Sequence, residues 1–436
     1  AGVAPPGRHN CAGFRGETSS ASPYLGGDGA PTRGSTFPER LLSILAAALF
    51  ALFAGLTACG LIYTLAAAYL TPRTIRAGPP GEGPFPSISL LKPLHGAPPG
   101  LDAALESFCR QDYPGPVQIV FGVHRDDDPA VAAVERLRAA RPDLDIALVV
   151  DGARHGTNAK VSNLINIARA ATHELWVISD ADIAVPKDYL RRLVDALAEP
   201  RAGAASCLYV GRVAGDGPRA ALWPTLAAMG IDYSFLPSVA VGRALGLAEP
   251  CFGSTIALSR EVLARIGGFE AIADHLADDY EIGRRVRALG LRLVVPHMVV
   301  DHLCAETDLG DLVSHELRWA RTIRQIDPGG HAGSLVTHVV PLSLITASLG
   351  LVALHAAPLR GWALWPCGAI IGSIGARVGL KLRIDAATTG RAGPLRLLLL
   401  RDLLSFGVFL GSFAINTVGW QGQRFRIDPD GVLHES

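Results

Sequence analysis

Hydrophobic patterning divides the chain into three zones. From Leu41 to Leu70, 30 residues carry no formal charge. That exceeds the ~20 residues needed to cross a bilayer. It is too long for a signal-peptide core, and no small-residue cleavage site follows it. Residues 41–70 therefore predict a transmembrane helix. Between residues 86 and 330 the pattern changes. Short apolar runs predict strands at Ile88–Leu91, Val117–Val123, Ile146–Val150, Leu175–Ser179, Ala204–Val210 and Leu293–Val295. Helical spacing separates them, for example over Ala130–Ala140, Lys160–Ala171 and Asp188–Ala198. Such alternation predicts an α/β domain with a mostly parallel sheet covered on both faces. Beyond Gly333 the chain turns apolar again, and residues 336–420 predict about three spans: Val336–Leu354, Trp362–Gly379 and Leu397–Val418. The second carries Arg377 and the third an Arg401-Asp402 pair, which should face protein, a partner or the interface rather than lipid.

The flanks add orientation. Residues 1–37 are rich in Gly, Ala, Pro, Ser and Thr without periodicity, so residues 1–40 read as a disordered segment. Residues 421–436 form a tail. Arg73 and Arg76 follow the first span, and Arg33 and Arg40 precede it, so that span alone orients weakly. Lys381, Arg383, Arg391 and Arg396 connect the second and third C-terminal spans, against only Arg360 between the first and second. The positive-inside tendency then puts this basic connection and the 86–330 domain on the cytosolic side of a multi-pass protein.

Composition narrows the possibilities. The 436 residues suffice for one large domain with appendages. With 40 basic and 40 acidic residues, nothing points to a nucleic-acid partner. An apolar fraction of 49% against 18% charged suits a membrane protein better than a wholly soluble one. The seven cysteines form no C-x-x-C pair, which fits a reducing compartment rather than a zinc ribbon or disulfide framework.

Candidate chemistry centres on Ile178-Ser179-Asp180-Ala181-Asp182-Ile183, where an apolar strand ends in two carboxylates spaced i, i+2. Strand ends are where open α/β sheets bind ligands. Mg²⁺ typically bridges one or two carboxylates to substrate phosphates. The pair reads as a metal site for a nucleotide-sugar diphosphate, or more plainly as a solvated turn. At the end of the Val117–Val123 run, Asp126, Asp127 or Asp128 has the placement to accept a uracil N–H or to cap the helix that follows. The register among the three is open, with Asp126 preferred. His155-Gly156-Thr157-Asn158-Ala159-Lys160 opens a helix, where an anion is favoured and Lys160 adds charge. Cys251-Phe252-Gly253-Ser254-Thr255 offers small residues for close approach of backbone to a ligand. Asp279 stands at a helix start, as a cap or as a general base for an acceptor hydroxyl. Its neighbour Asp278 is expected to point elsewhere. Arg318 and Trp319 lie in a helical run before the membrane zone, suited to neutralising a departing diphosphate and to lining an acceptor pocket.

Together these segments resemble inverting, lipid-modifying glycosyltransferases with the pattern Asp, Asp-x-Asp, Asp, Gln/Arg-x-x-Arg-Trp. The stretch from about Ser87 to Leu344 is similar to the ceramide glucosyltransferase family. It rests on Lys160-Val161-Ser162-Asn163-Leu164, Ser179-Asp180-Ala181-Asp182-Ile183, Cys251 to Thr255, Asp278-Asp279-Tyr280 and Arg318-Trp319. Leu91-Lys92-Pro93-Leu94-His95-Gly96, Ser107 to Pro114, Gly230 to Ser238, His302-Leu303-Cys304-Ala305-Glu306 and His315 to Thr322 look like its bacterial hopanoid-biosynthesis branch. His315 departs from the pattern, standing where the wider group has Gln or Arg. The resemblance implies a GT-A-like fold in the bacterial inner membrane. It implies transfer with inversion from a UDP-sugar, UDP-GlcNAc, to a hopanoid hydroxyl, or from UDP-glucose to ceramide. Asp180 and Asp182 would hold Mg²⁺ or Mn²⁺, and His302 and His275 are further candidate ligands. Asp126, Lys160 and Asp180 would bind the donor, and Asp279, Arg318 and Trp319 would be catalytic. A catalytically inactive lipid-binding scaffold is the alternative from another class; retention of the full residue set argues against it.

Overall fold

The structure is a computed structural model, described over residues 37–215, 222–249, 251–356, 365–388, 393–414, 417–420, 423–427 and 433–435. Residues 1–36, most of the expected disordered segment, lie outside the described residues. Ten strands build the α/β region: β1 (Ile88–Pro93), β2 (Val117–Val123), β3 (Asp145–Val150), β4 (Leu175–Ile178), β5 (Ile183–Ala184), β6 (Ala202–Ser206), β7 (Leu208–Val213), β8 (Ile256–Ser259), β9 (Arg292–Val294) and β10 (Val299–Cys304). The large, seven-stranded sheet runs β3-β2-β1-β4-β8-β6-β9. Its strands are parallel except β8, which is antiparallel to β4 and β6. The expected mostly parallel α/β sheet is present, with one antiparallel strand inside it.

Alternation along the strands makes two cores. Ile88, Leu90, Ile119, Phe121 and Val177 face one side. There they meet helices α1 (Leu101–Cys109), α2 (Pro129–Ala140) and α3 (Tyr189–Leu197). Leu91, Val120, Trp176 and Ile178 face the other. They pack on α4 (Asp278–Ala288) and on the helix Ala159–Ala168. The period of two puts adjacent residues on opposite faces, so both faces read as apolar. The order reverses between β1 and β4, and ligands bind at the carboxyl ends beside such a switch point.

The expected strand Ala204–Val210 is two strands. β6 stays in the large sheet, whereas β7 joins β5 and β10 in a second sheet of order β5-β10-β7. The chain breaks where the Cys251–Thr255 loop binds it: the Phe252 N–H donates to Ser206 Oγ at 2.7 Å, and Ser254 Oγ donates to the Cys207 carbonyl at 2.9 Å.

The membrane zones differ more from expectation. The first helix runs Phe37–Ile75, so residues 37–40 are helical rather than disordered. Its Ile44–Ile75 stretch is long and apolar enough to cross a membrane. Among the described residues no other single helix is, although Pro328–Thr337 and Val339–Val352, bent by 69°, qualify together as a broken span. Three C-terminal spans are therefore not shown. The helix Trp365–Ala387 contains Arg377, Lys381, Arg383 and Asp385, so two residues of the supposed basic connection belong to it, while Arg391 lies outside the described residues. The helix Leu398–Gly411 has only 14 residues. At ~1.5 Å per residue that is too short for a ~30 Å hydrocarbon core. Val418 belongs to the strand Thr417–Trp420, which pairs with Gln423–Ile427 and through it with Leu433–Glu435, within the supposed tail.

Arg377, Lys381, Arg401 and Asp402 are buried against protein, as expected of the Arg401-Asp402 pair, whereas Arg383 is exposed; Arg401 and Asp402 are not paired with each other. Arg377 Nε donates to Asp402 Oδ2 at 2.9 Å and Arg377 Nη1 to the Tyr233 carbonyl at 2.7 Å. Arg401 makes a two-point contact with Glu316 at 2.6 and 2.7 Å. Leu45, Leu49, Leu52, Ile62 and Leu65 of the first helix and Ile371 and Leu382 of Trp365–Ala387 are exposed.

Candidate active site

Four loops converge at the carboxyl edge of the large sheet. The chain leaves β4 at Ser179, whose N–H makes the last ladder bond to the Leu91 carbonyl at 3.2 Å. It then turns through Asp180 and Asp182 into β5. β10 pairs with β5, setting His302 opposite Ile183. The Leu303 N–H donates to the Asp182 carbonyl at 2.8 Å. His302 Nε2 thereby lies 3.5 Å from Asp182 Oδ2.

Lys160 lies in the first turn of its helix, which Asn158 caps by accepting the Val161 N–H at 3.1 Å. Its ammonium lies 2.7 Å from Asp180 Oδ1 and 2.9 Å from Asp278 Oδ2. Asp278 is thus turned into the site, contrary to expectation. At a helix start, consecutive residues can both reach a cation lying over the helix end. Burial works against the charge on Lys160, but Asp180, Asp278 and Asp279 together hold its pKa above the usual lysine value. Burial, chiefly, raises the pKa of the Asp180 carboxyl, and Lys160 opposes it. The Gly156 loop is not an open anion cradle: Asn158 and Thr157 N–H groups are spent on the Ala273 carbonyl and Asp274.

Asp279 is held by backbone. Its Oδ2 accepts the Gly253 N–H at 2.8 Å and its Oδ1 accepts the Tyr280 N–H at 2.7 Å. Burial first, and Asp278 second, push it up to about 6. Gly253 leaves no room for a side chain: a Cβ there would lie 2.8 Å from Asp180 Oδ2 and 3.1 Å from Lys160 Nζ. This glycine is what lets the loop slide between the Asp180 turn and Asp279.

Arg318 and Trp319 lie on α5 (Leu309–Ile326), which Asp308 caps by accepting the Asp311 N–H at 2.9 Å. Arg318 is largely buried; that burial lowers its pKa, while Asp180, Asp182 and Asp279 act to raise it. The guanidinium therefore shares the field of the three carboxylates. Trp319 meets His302 edge-on at 5.9 Å and His315 at 4.3 Å. His315 in turn contacts Glu306 at 2.9 Å. Tyr209 stacks on Phe235 at 4.6 Å and meets Phe252 edge-on at 5.8 Å. An aromatic wall thus flanks the carboxylates.

Asp126 is exposed at the end of β2, and no contact joins it to this cluster. Asp127 pairs with Arg125. Asp128 is the residue that caps α2, accepting the Ala130 and Gly96 N–H groups at 2.9 Å. His275 faces Glu281, at 3.9 Å, and not the Asp180 turn.

Among the described residues no group of three or more His, Cys, Asp or Glu side chains is arranged to hold a metal. The donor chemistry at the turn nevertheless fits a hard cation: Asp182 Oδ1 is buried without a hydrogen-bond partner. Such an acceptor is costly unless something positive fills its lone pairs.

Three features were missed from sequence. Lys92 of β1 is fully buried and reaches the Asp180 carbonyl at 2.8 Å. Burial pulls it down to about 7, while Asp180 and Asp182 act to raise it. Asp278 was misassigned, and the Tyr209-Phe235-Phe252 wall was unseen. A lysine inside the apolar run Ile88–Pro93 was the available signal for the first.

The profile of the family described as Glycosyl transferase family 21 matches residues 51–433. Ceramide glucosyltransferase 1 of Caenorhabditis elegans is 24% identical over 211 residues, 48% of this chain and 44% of that protein. Beta-monoglucosyldiacylglycerol synthase of Synechocystis is 29% identical over 124 residues, 28% of this chain and 25% of that protein. The chain spans less than half the length of these two relatives. A mannosyltransferase from Pyrobaculum calidifontis, solved with GDP-Man and Mn²⁺, is 23% identical, with a TM-score of 0.48 over 84% of this chain and 99% of that one.

Proposed function

We propose, from the premise that this chain belongs to glycosyl transferase family 21, that it moves a hexosyl group from a UDP-sugar to a hydroxyl of a membrane lipid, with inversion. The observation that carries this reading is the position of Asp279. Its two oxygens are fixed by the Gly253 and Tyr280 N–H groups, and the Gly253 loop runs on to Asp180 and Lys160. A base poised near neutrality thereby adjoins a cationic site.

The roles follow from chemistry. Asp180 and Asp182 would hold a divalent cation, whose charge would offset that of the departing diphosphate. The acceptor oxygen attacks the anomeric carbon, and its proton passes to a free lone pair of Asp279. The bond from that carbon to the UDP oxygen breaks. Arg318 and Lys160 take up the charge appearing on UDP. Trp319, Tyr209 and Phe252 present flat apolar surface to a sugar ring or the neck of a lipid. The apolar helix Ile44–Ile75 keeps the site at the bilayer, so the acceptor need not leave lipid. The catalytic domain faces the cytosol in this reading. Asp126, exposed at the end of β2, is offered to the uracil of the donor.

The names of the relatives favour glucose as the transferred sugar and a ceramide or diacylglycerol as the acceptor. The hopanoid-like segments favour a hopanoid acceptor and N-acetylglucosamine. One experiment separates them: membranes containing the chain receive UDP-glucose or UDP-GlcNAc with ceramide, diacylglycerol or a hydroxylated hopanoid, and lipid products are read by mass spectrometry. A product from any pair, lost in the Asp279→Asn variant, supports lipid glycosylation and identifies its substrates. Hydrolysis of UDP-sugars without a glycolipid from any acceptor overturns the lipid reading.

A further inference from the structure

Lys92 is the most expensive side chain in the α/β region that the proposed mechanism leaves unused. It lies inside β1, between Leu91 and Pro93, with no exposed surface. An ammonium so placed loses its hydration, which is costly unless each donor is matched. An unbranched apolar residue such as Met would fill most of the position without that cost.

The contacts say what the cost secures. Beyond Ser179 the β1–β4 ladder ends, so the Asp180 carbonyl has no strand partner. The turn's own bond to it, from the Ile183 N–H, is long at 3.4 Å. Lys92 Nζ reaches the same carbonyl at 2.8 Å and Ser179 Oγ at 3.4 Å. Beneath the ammonium lies the Phe108 ring, 3.7 Å from nitrogen to ring centre. Phe108 is itself wedged edge-on against Tyr189 at 5.7 Å, and the Tyr189 hydroxyl bonds Thr255 Oγ1 at 3.0 Å. Thr255 ends the loop that carries Gly253. One rigid chain of contacts thus runs from the Asp180 turn to the loop that holds Asp279.

We propose that Lys92 is a positioning residue: its ammonium pins the Asp180 carbonyl from below and so fixes the aim of the Asp180 and Asp182 carboxylates at the donor diphosphate. This rests on the reading of those two carboxylates as the donor site. A merely structural lysine would show in stability, whereas a positioning lysine shows in binding.

The test compares Lys92→Met, Lys92→Gln and Asp182→Asn in the full chain, purified in detergent. Thermal unfolding is recorded, and UDP binding is measured by calorimetry as Mn²⁺ is titrated. Both replacements are one atom shorter than Lys; Met removes the donor, whereas Gln keeps one. The expected result is unfolding of Lys92→Met at or above the wild-type temperature, because the buried charge is gone. Its UDP affinity at fixed Mn²⁺ falls about tenfold or more, the worth of a charge-assisted hydrogen bond. Lys92→Gln falls between it and wild type. If Lys92→Met binds within about twofold of wild type while Asp182→Asn loses Mn²⁺-dependent binding, the proposal is wrong and the donor site stands. If both variants bind as wild type does, the donor site itself is wrong and the proposal goes with it. If neither Lys92 variant folds, the residue is structural and the proposal is overturned.

Discussion

Removing the proton acceptor from Asp279 is the sharpest perturbation available. Each of its oxygens accepts one backbone N–H, from Gly253 and Tyr280, and each keeps a second lone pair for the incoming proton. General-base catalysis contributes ~10²–10⁴-fold, so Asp279→Asn should lower turnover by roughly that factor. Asn is not silent here. Its amide nitrogen must face one of the two N–H donors, and so it also loosens the Gly253 loop. Asp279→Glu completes the comparison by keeping the carboxylate and displacing it by one methylene. Its loss should be smaller than that of Asn. The pH profile supplies the second magnitude. With its carboxyl at about 6, Asp279 is about one-eleventh ionised at pH 5 and about ten-elevenths at pH 7. The kcat/KM should therefore fall about tenfold between pH 7 and pH 5. Asp278 is one cause of that raised value. Asp278→Asn should shift the acid limb to lower pH, since a carboxylate that disfavoured ionisation is gone. The assay is lipid glycosylation in detergent or vesicles from pH 4.5 to 8.5 in constant-ionic-strength buffer. An Asp279→Asn turnover within a few-fold of wild type would falsify the base assignment. A limb that moves upward in Asp278→Asn would refute the electrostatic account while leaving the base in place.

Three further outcomes are expected. Gly253→Ala should fold with a melting temperature near that of wild type, because its Cβ meets only side-chain ends, Asp180 Oδ2 at 2.8 Å and Lys160 Nζ at 3.1 Å. Activity should nonetheless drop about tenfold or more, since those ends belong to the proposed donor site and sub-ångström displacement is costly there; wild-type activity would count against the packing seen. Arg401→Met leaves Glu316 without its guanidinium partner and should destabilise the chain by ~3–5 kcal/mol. Adding Glu316→Gln should recover much of that in a thermal or denaturant melt, and no recovery would show that the pair is not the cause. A cysteine at exposed Asp145, in a background without native cysteines, should resist an impermeant thiol reagent in sealed cells and react after permeabilisation. Labelling in sealed cells would invert the proposed topology.

How much of this was legible in the sequence depends on the distance over which each feature is determined. The parallel strands were readable because a strand buried on both faces needs only its own apolar residues. Ile88 to Leu91 and Val117 to Val123 carry that information locally. The split at Cys207 was not readable. It depends on Phe252 and Ser254, more than 40 residues away, bonding the backbone and side chain of Ser206 and Cys207. The same logic separates the site residues. Asp180, Asp182 and Asp279 could be picked out because a carboxylate at a strand end or helix start is a local event. Lys92 and Asp278 could not, because their roles are fixed by partners across the fold, the Asp180 carbonyl and Lys160. The C-terminal helices show the strongest case. Read one at a time, Arg377 is a charge inside a span, and Lys381 and Arg383 look like a loop between spans. Arg377 is instead matched by Asp402, Lys381 by Asp385 and the Tyr233 hydroxyl, and Arg401 by Glu316. A charge paired in this way costs little inside a helix that a hydropathy count would break or shorten. Span number is therefore a property of the pairing between helices, and an ordered list of residues does not contain that pairing. Because Glu316 stands two residues before Arg318 on α5, the same pairing that hides a helix from the sequence also ties the C-terminal region to the arginine proposed to be catalytic.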